Sequence, residues 1–267
     1  MNWKFTLFAV LVMVSVSAYA VISECSDGSE AASDDSGSCG HNVTYVFDSS
    51  TGTLTISGSG DIYSSGGAPW YPYRSDVKKV VIEDGITDIG PYAFRDCIGL
   101  RELTLPISIS AIGSDYNCPA FYGCTNIEKV TFTPGTGKGY EYAVDYYGRT
   151  PCNYSSAALE VVIEDGVTSI GKYTFYGCSS LVSVTIPDSV TSIGSDAFYG
   201  CSSLVSVTIP DSVTRINSSV FSGCSSLASV TIPDSVTSID HRAFYGCSSL
   251  TSIILPDSVN PSATMRS

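Results

Sequence analysis

The chain has 267 residues, with 13 Lys and Arg against 26 Asp and Glu and a formal charge of −13. Docking on a nucleic acid or an anionic lipid surface needs clustered cations, so the overall balance speaks against both. Two histidines leave little for histidine-based catalysis, and charged residues make up only 15% of the chain.

Lys4 precedes an apolar run from Phe5 to Val16, and Ala18-Tyr19-Ala20 supplies small residues in the small-x-small spacing. This is the pattern of a secretory signal peptide over residues 1–20, and the run is shorter than a membrane span. The rest is then expected to be secreted or displayed at a cell surface, with no stable membrane insertion. Residues 21–38, rich in Ser, Gly and acid, read as a flexible leader that buries too little apolar area to order itself. Val43-Thr44-Tyr45-Val46-Phe47-Asp48 and Thr53-Leu54-Thr55-Ile56-Ser57 flank a glycine-bearing turn. They predict a β-hairpin in an N-terminal cap over 39–76, with Trp70, Tyr71 and Tyr73 packing it onto the chain after residue 76.

A 23-residue period then organises the chain. Cys178, Cys201, Cys224 and Cys247 keep that spacing, as do Phe175, Phe198, Phe221 and Phe244. Leu181, Leu204, Leu227 and Leu250 share it, and so do Pro187, Pro210, Pro233 and Pro256. Columns in register mean that one structural unit has been copied. In Leu181-Val182-Ser183-Val184-Thr185-Ile186 the alternation predicts a half-buried strand, which Pro187 ends. One such coil cannot enclose its own apolar side chains; stacked coils bury them in continuous ladders. The reading is a β-rich solenoid with a first block at 77–132, a Tyr- and Gly-rich insertion at 133–157, a second block at 158–259 written from Ala158, and a tail at 260–267. Two cap-like inserts would split the stack. At the far end either the last strand stays exposed or residues 256–267 fold over it.

The unit Leu-x-x-Val-x-Ile-Pro-x-Ser-Val-x-x-Ile-x-x-x-x-Phe-x-x-Cys, at 181–201, resembles the BspA-like leucine-rich repeats. Cys39-Gly40-His41-Asn42-Val43-Thr44, the run from Gly52 to Gly58, and Pro69-Trp70-Tyr71 are similar to the lead-in of such proteins. The resemblance implies a leucine-rich-repeat solenoid in a secreted or surface-displayed protein. Some members adhere to matrix proteins or to other cells, and no catalytic residues come with the family.

Six cysteines, Cys97, Cys124, Cys178, Cys201, Cys224 and Cys247, share an inward column, where a ladder of free thiols is favoured over bridges. Cys25, Cys39, Cys118 and Cys152 fall off that column and are disulfide candidates, as Cys118–Cys152 and Cys25–Cys39. No metal site or cofactor is expected. The column Asp188, Asp211, Asp234 and Asp257 is either screened by solvent or bridged by a cation, and Ser189, Ser212 and Ser235 read as turn residues. Sequons mark Asn42, Asn153 and Asn217 as glycosylation candidates.

Tyr176, Tyr199 and Tyr245 come directly after the buried Phe and should point outward, as should Tyr122. Tyr140, Tyr142, Tyr146, Tyr147 and Tyr154 crowd the insertion. These tyrosines are the candidate partner-binding residues, because Tyr offers contact area at low entropic cost; the competing reading is that they cover the coil edge. Catalysis is not expected, since neither histidine has a visible partner for base chemistry. The expected role is adhesion, or binding of an extracellular protein or glycan, over an extended surface. The alternatives are a structural spacer or self-assembling matrix component, and a Ser/Thr hydroxyl ladder that recognises glycans or ice.

Overall fold

The computed structural model describes residues 35–63, 67–113, 119–135 and 150–259. The signal segment and most of the leader lie outside them. The cap contributes strands β1 (Asp35–Gly40), β2 (Val43–Asp48), β3 (Thr53–Gly58) and β4 (Gly60–Ile62). Next come β5 (Lys79–Ile82), β6 (Ile86–Ile89), β7 (Glu102–Pro106), β8 (Ala111–Ile112), β9 (Lys129–Thr133), β10 (Leu159–Ile163) and β11 (Ser169–Ile170). The last coils hold β12 (Leu181–Thr185), β13 (Ser192–Ile193), β14 (Ser206–Thr208), β15 (Arg215–Ile216), β16 (Ser229–Thr231) and β17 (Ser238–Ile239). Two short 3-10 turns lie at Tyr71–Tyr73 and Pro151–Tyr154.

Each coil has three sides, and each side bonds to the next coil. On the first, an eight-stranded sheet runs β1-β2-β3-β5-β7-β9-β10-β12. Its first three strands are antiparallel, and from β3 onward every pair is parallel. The parallel pair β14 and β16 extends the same side, joined through Val205 N–H to the Val182 carbonyl at 3.3 Å. The second side carries β4-β6-β8, β11-β13 and β15-β17, all parallel. The third holds no strand, yet its amides reach forward: Gly177 N to Tyr199 O, Gly200 N to Ser222 O and Gly223 N to Tyr245 O, each 2.7 Å. These glycines take positive φ, +68°, +72° and +77°. That backbone suits Gly and turns the chain toward the buried Cys at the next position.

Inside, the phenylalanines pile up as the period predicts. Ring centroids are 5.0 Å apart for Phe175–Phe198, 5.4 Å for Phe198–Phe221 and 5.5 Å for Phe221–Phe244, all stacked. Phe94 and Phe121 stack at 5.0 Å, and Trp70 lies on Phe94 at 5.4 Å, so the cap starts the column. Trp70 Nε1 donates to the Ala93 carbonyl at 2.7 Å. The architecture is thus a β-solenoid of 23-residue coils with an N-terminal hairpin cap and one long insertion.

Four local readings change. First, Asp35–Ser38, placed in the leader, belongs to β1. It pairs with β2, and Asp35 Oδ2 accepts from the hydroxyls of Tyr45 (3.0 Å) and Tyr73 (2.7 Å). Tertiary contacts order a stretch whose composition alone would not. Second, the stack is not divided at the insertion, because β9 pairs directly with β10, Val130 opposite Val161. Third, the interior position at the start of β10 is held by Leu159, not Ala158: a bulge sets Leu159 opposite Leu181 and Glu160 opposite Ser183. Fourth, the serines after the strand tie coils together instead of closing their own turns. Ser108 Oγ donates to Ile86 O at 3.1 Å, Ser189 to Val167 O at 2.9 Å and Ser235 to Val213 O at 2.8 Å, with Ser212 bonding Val190 O in the same way.

The two ends differ. Phe47 stacks on Tyr73 at 4.5 Å and closes the N-terminal end. At the other end residues 250–256 form no strand, Ile254 is 85% exposed and Leu255 45% exposed.

Candidate binding surface

The third side also carries the side chains with recognition chemistry. Tyr71, Arg95, Tyr122, Tyr176, Tyr199 and Tyr245 each come directly after a ring of the stacked aromatic column, Trp70, Phe94, Phe121, Phe175, Phe198 and Phe244, so they form an outward row, interrupted at the buried Thr150 and Ser222. All the tyrosines of this row are exposed, Tyr245 most, at 68%. Tyr176 and Tyr199 stack at 4.9 Å with planes 6° apart, leaving ring edges and hydroxyls toward solvent. Burial against its neighbours, with Tyr199 and Asp196 adding, pushes the Tyr176 phenol up.

A second row flanks the first. Tyr92, Tyr173, Asp196, Ser219 and Arg242 all take φ between 57° and 61°. At one of these positions the left-handed residue meets the ridge tyrosine three positions on: Tyr173 contacts Tyr176 edge-on at 5.7 Å. Cations sit on these rings. Arg74 lies 4.1 Å from the Tyr71 ring centroid, Arg95 5.1 Å from Tyr92 and 5.9 Å from Tyr122, Lys172 5.5 Å from Tyr173, and Arg242 5.6 Å from Tyr245. Each distance is within the range where a ring quadrupole attracts a cation.

The candidate residues part into several places. Tyr176, Tyr199 and Tyr245 stand on the ridge. Tyr154 is half-buried against the core, a packing position. Tyr140, Tyr142, Tyr146 and Tyr147 lie outside the described residues, as do Cys25 and Cys118 and with them both expected disulfide pairs. Cys152 is fully buried, and its contact with Cys178 helps raise that thiol, so it stands in the cysteine column. The shifted spacing of the long coil hid this in the sequence. Every described cysteine is a free, buried thiol. The thiols of Cys124, Cys201, Cys224 and Cys247 donate to the carbonyls of Phe94, Phe175, Phe198 and Phe221 at 3.0–3.2 Å. Cys178, which comes after the long coil, instead shares a 3.3 Å hydrogen bond with Thr150 Oγ1.

Asn42 is exposed in a left-handed turn. Asn153 Nδ2 donates to Tyr176 O at 2.9 Å and Asn217 Nδ2 to Ile193 O at 2.6 Å, so both of these amides are engaged between coils.

On the sheet face the structure separates two zones. Lys79, Glu102, Lys129 and Glu160 alternate in register, with Lys79–Glu102 at 3.3 Å and the adjacent Arg101–Glu128 pair at 2.8 Å. Ser183, Thr185, Ser206, Thr208, Ser229 and Thr231 then form an exposed hydroxyl array, bounded by Val162 on one side and Ile254 on the other. The acidic column Asp188, Asp211, Asp234 and Asp257 is exposed at the corner between the first and second sides. No group of potential metal ligands occurs among the described residues. Nor is any helix there long and apolar enough to cross a membrane.

Three bonded sides, a stacked interior and an outward ridge define a leucine-rich-repeat solenoid. The model of the BspA type leucine-rich repeat region matches residues 71–147 and 149–263 in six copies, and the chain belongs to that family. No curated protein matches. Among solved structures, a leucine-rich-repeat protein of T. pallidum is similar at 24% identity and TM-score 0.46, covering 82% of this chain and 90% of that one. A leucine-rich cell surface protein of Faecalibacterium prausnitzii A2-165 is similar at 19% identity and TM-score 0.40, covering 88% and 92%. A leucine-rich-repeat protein of Bacteroides ovatus shares 22% identity at TM-score 0.34, covering 82% of each chain.

Proposed function

We propose that this chain is a secreted or cell-surface adhesion protein that holds an extracellular protein or glycan along its tyrosine ridge. The observation that carries this reading is the ridge itself: exposed Tyr122, Tyr176, Tyr199 and Tyr245 on one side of a rigid stack, with Arg95, Lys172 and Arg242 against the rings. Aromatic and Arg side chains concentrate binding energy at interfaces. The leucine-rich cell surface protein of F. prausnitzii agrees with display outside the cell. Binding, not catalysis, is the activity such a surface offers, since a repeated row holds no single pocket around a reacting atom.

The test compares capture of extracellular matrix proteins and neighbouring cells by the wild type and by Tyr176→Ser/Tyr199→Ser. Capture should fall about tenfold or more, as expected when two anchors are lost, with the melting temperature unchanged; undiminished capture contradicts the reading. The exposed Ile254 and Leu255 favour a second reading, assembly through this apolar patch. Light scattering that grows with concentration, and is abolished by Ile254→Lys, would support it.

A further inference from the structure

Resting on the ridge reading, we propose that the ligand of the ridge is an anionic polysaccharide, carboxylated or sulfated, lying along the stack with about one sugar ring per coil. The first argument is charge segregation. The net charge of −13 counts acids that the fold places elsewhere. Asp165, Asp188, Asp211, Asp234 and Asp257 are exposed at the far corner of the coils. Lys79, Arg101 and Arg215 are matched by Glu102, Glu128 and Asp240, the last through two hydrogen bonds of 2.8 Å from Arg215 Nη2. Arg74, Arg95, Lys172 and Arg242 remain on the ridge. Two ridge carboxylates offset them in part: Asp96 binds Arg95 at 3.2 Å, and Asp196 lies in the field of Lys172. Among the described residues Lys172 and Arg242 form no ion pair.

The second argument is period. On the ridge, the adjacent coils set Tyr176 and Tyr199 4.9 Å apart. An extended peptide advances ~3.3 Å per residue, so successive side chains drift out of step with the coils. A pyranose ring is about as long as one strand spacing, so successive sugars stay in step with successive coils and an anionic chain can reach Arg95, Lys172 and Arg242 in turn. The third is shape. The exposed, stacked rings of Tyr176 and Tyr199 present their edges, which suits hydroxyl-rich ligands.

The test measures binding of the full chain to heparin oligosaccharides, oligogalacturonides, neutral dextran and poly-L-glutamate. It uses the wild type, Arg95→Gln/Lys172→Gln/Arg242→Gln, and the sheet-face control Lys79→Gln/Lys129→Gln. We expect at least one anionic glycan to bind, and the preferred one identifies sulfate or carboxylate as the group read. Binding should weaken about tenfold in the triple variant and weaken as salt is raised, because screening cuts exposed attraction, while the control binds as the wild type does. Equal binding of dextran, tighter binding of poly-L-glutamate, binding of neither anionic glycan, or an equal loss in the control overturns the proposal. Cell capture by Tyr176→Ser/Tyr199→Ser, measured alongside, separates the two failures. If capture depends on the ridge while the anionic glycans fail, the ligand class is wrong and the ridge stands; undiminished capture removes both.

Discussion

A thiol is a poor nucleophile while it holds its proton, and burial favours the protonated form. Burial pushes the thiols of Cys178 and Cys201 well up from the ordinary 9.0, and the Cys247 thiol to about 11. Burial alone takes Cys39 to about 12. Below pH 9 folded and unfolded chains both hold these protons. Above it the unfolded chain releases them while the folded chain keeps them, so stability falls with rising pH. Melting temperature should therefore decline from about pH 9 toward pH 11, and Cys247→Ala should remove part of the decline; a flat profile contradicts the assignment. In native protein Cys247, the most exposed of the column at 8%, should react first with an alkylating reagent, and the more deeply buried thiols only on unfolding. The phenylalanines carry more of the stability. Phe198→Ala empties a fully buried site between two stacked rings and should cost about 3–5 kcal/mol by denaturant titration, whereas Tyr199→Ser should change little.

At the scale of the strand and turn, glycine positions separate two kinds of cost. Gly200 has φ +72°, but a Cβ there would meet nothing closer than 3.6 Å, so Gly200→Ala carries backbone strain of about 1 kcal/mol. Gly58 has φ +120°, and a Cβ would fall 2.0 Å from the Asn42 carbonyl oxygen. Gly58→Ala should therefore disrupt the β2–β3 hairpin end and lower the melting temperature well beyond Gly200→Ala; similar losses would show that the hairpin tolerates rearrangement. What the sequence displays at this scale depends on whether a residue answers to its own coil or to a neighbouring one. The Phe and Leu columns were legible because burial is imposed at every coil. Leu159 and Cys152 were not, since a bulge and a lengthened coil shift the count while the interior positions stay filled. The serine column was misread because its partners, such as Val167 O and Val213 O, lie one coil back. Of the ridge, the tyrosines after Phe could be read directly. Tyr92, Tyr173 and Arg242 could not, because only the left-handed backbone sets them beside those rings.

As a whole the molecule is a one-dimensional stack, in which each coil is held by its neighbours. Its first coil is covered by an antiparallel meander, and among the described residues no strand follows Ile239. Hydrogen exchange should accordingly be slowest around β12 and β14 and fastest over 250–259, with opening spreading inward from that end. Uniform protection would argue for a single cooperative unit. The same stack lets three surfaces coexist: the ridge, the hydroxyl array on the sheet face and the apolar patch of Ile254 and Leu255. The measurement that bears most directly on the ridge as the functional surface is capture of extracellular partners by three variants side by side. These are Tyr176→Ser/Tyr199→Ser, Thr185→Ala/Thr208→Ala and Ile254→Lys. The ridge variant alone should lose capture while all three melt like the wild type; loss in the sheet-face or Ile254→Lys variant, with the ridge variant intact, would contradict the account.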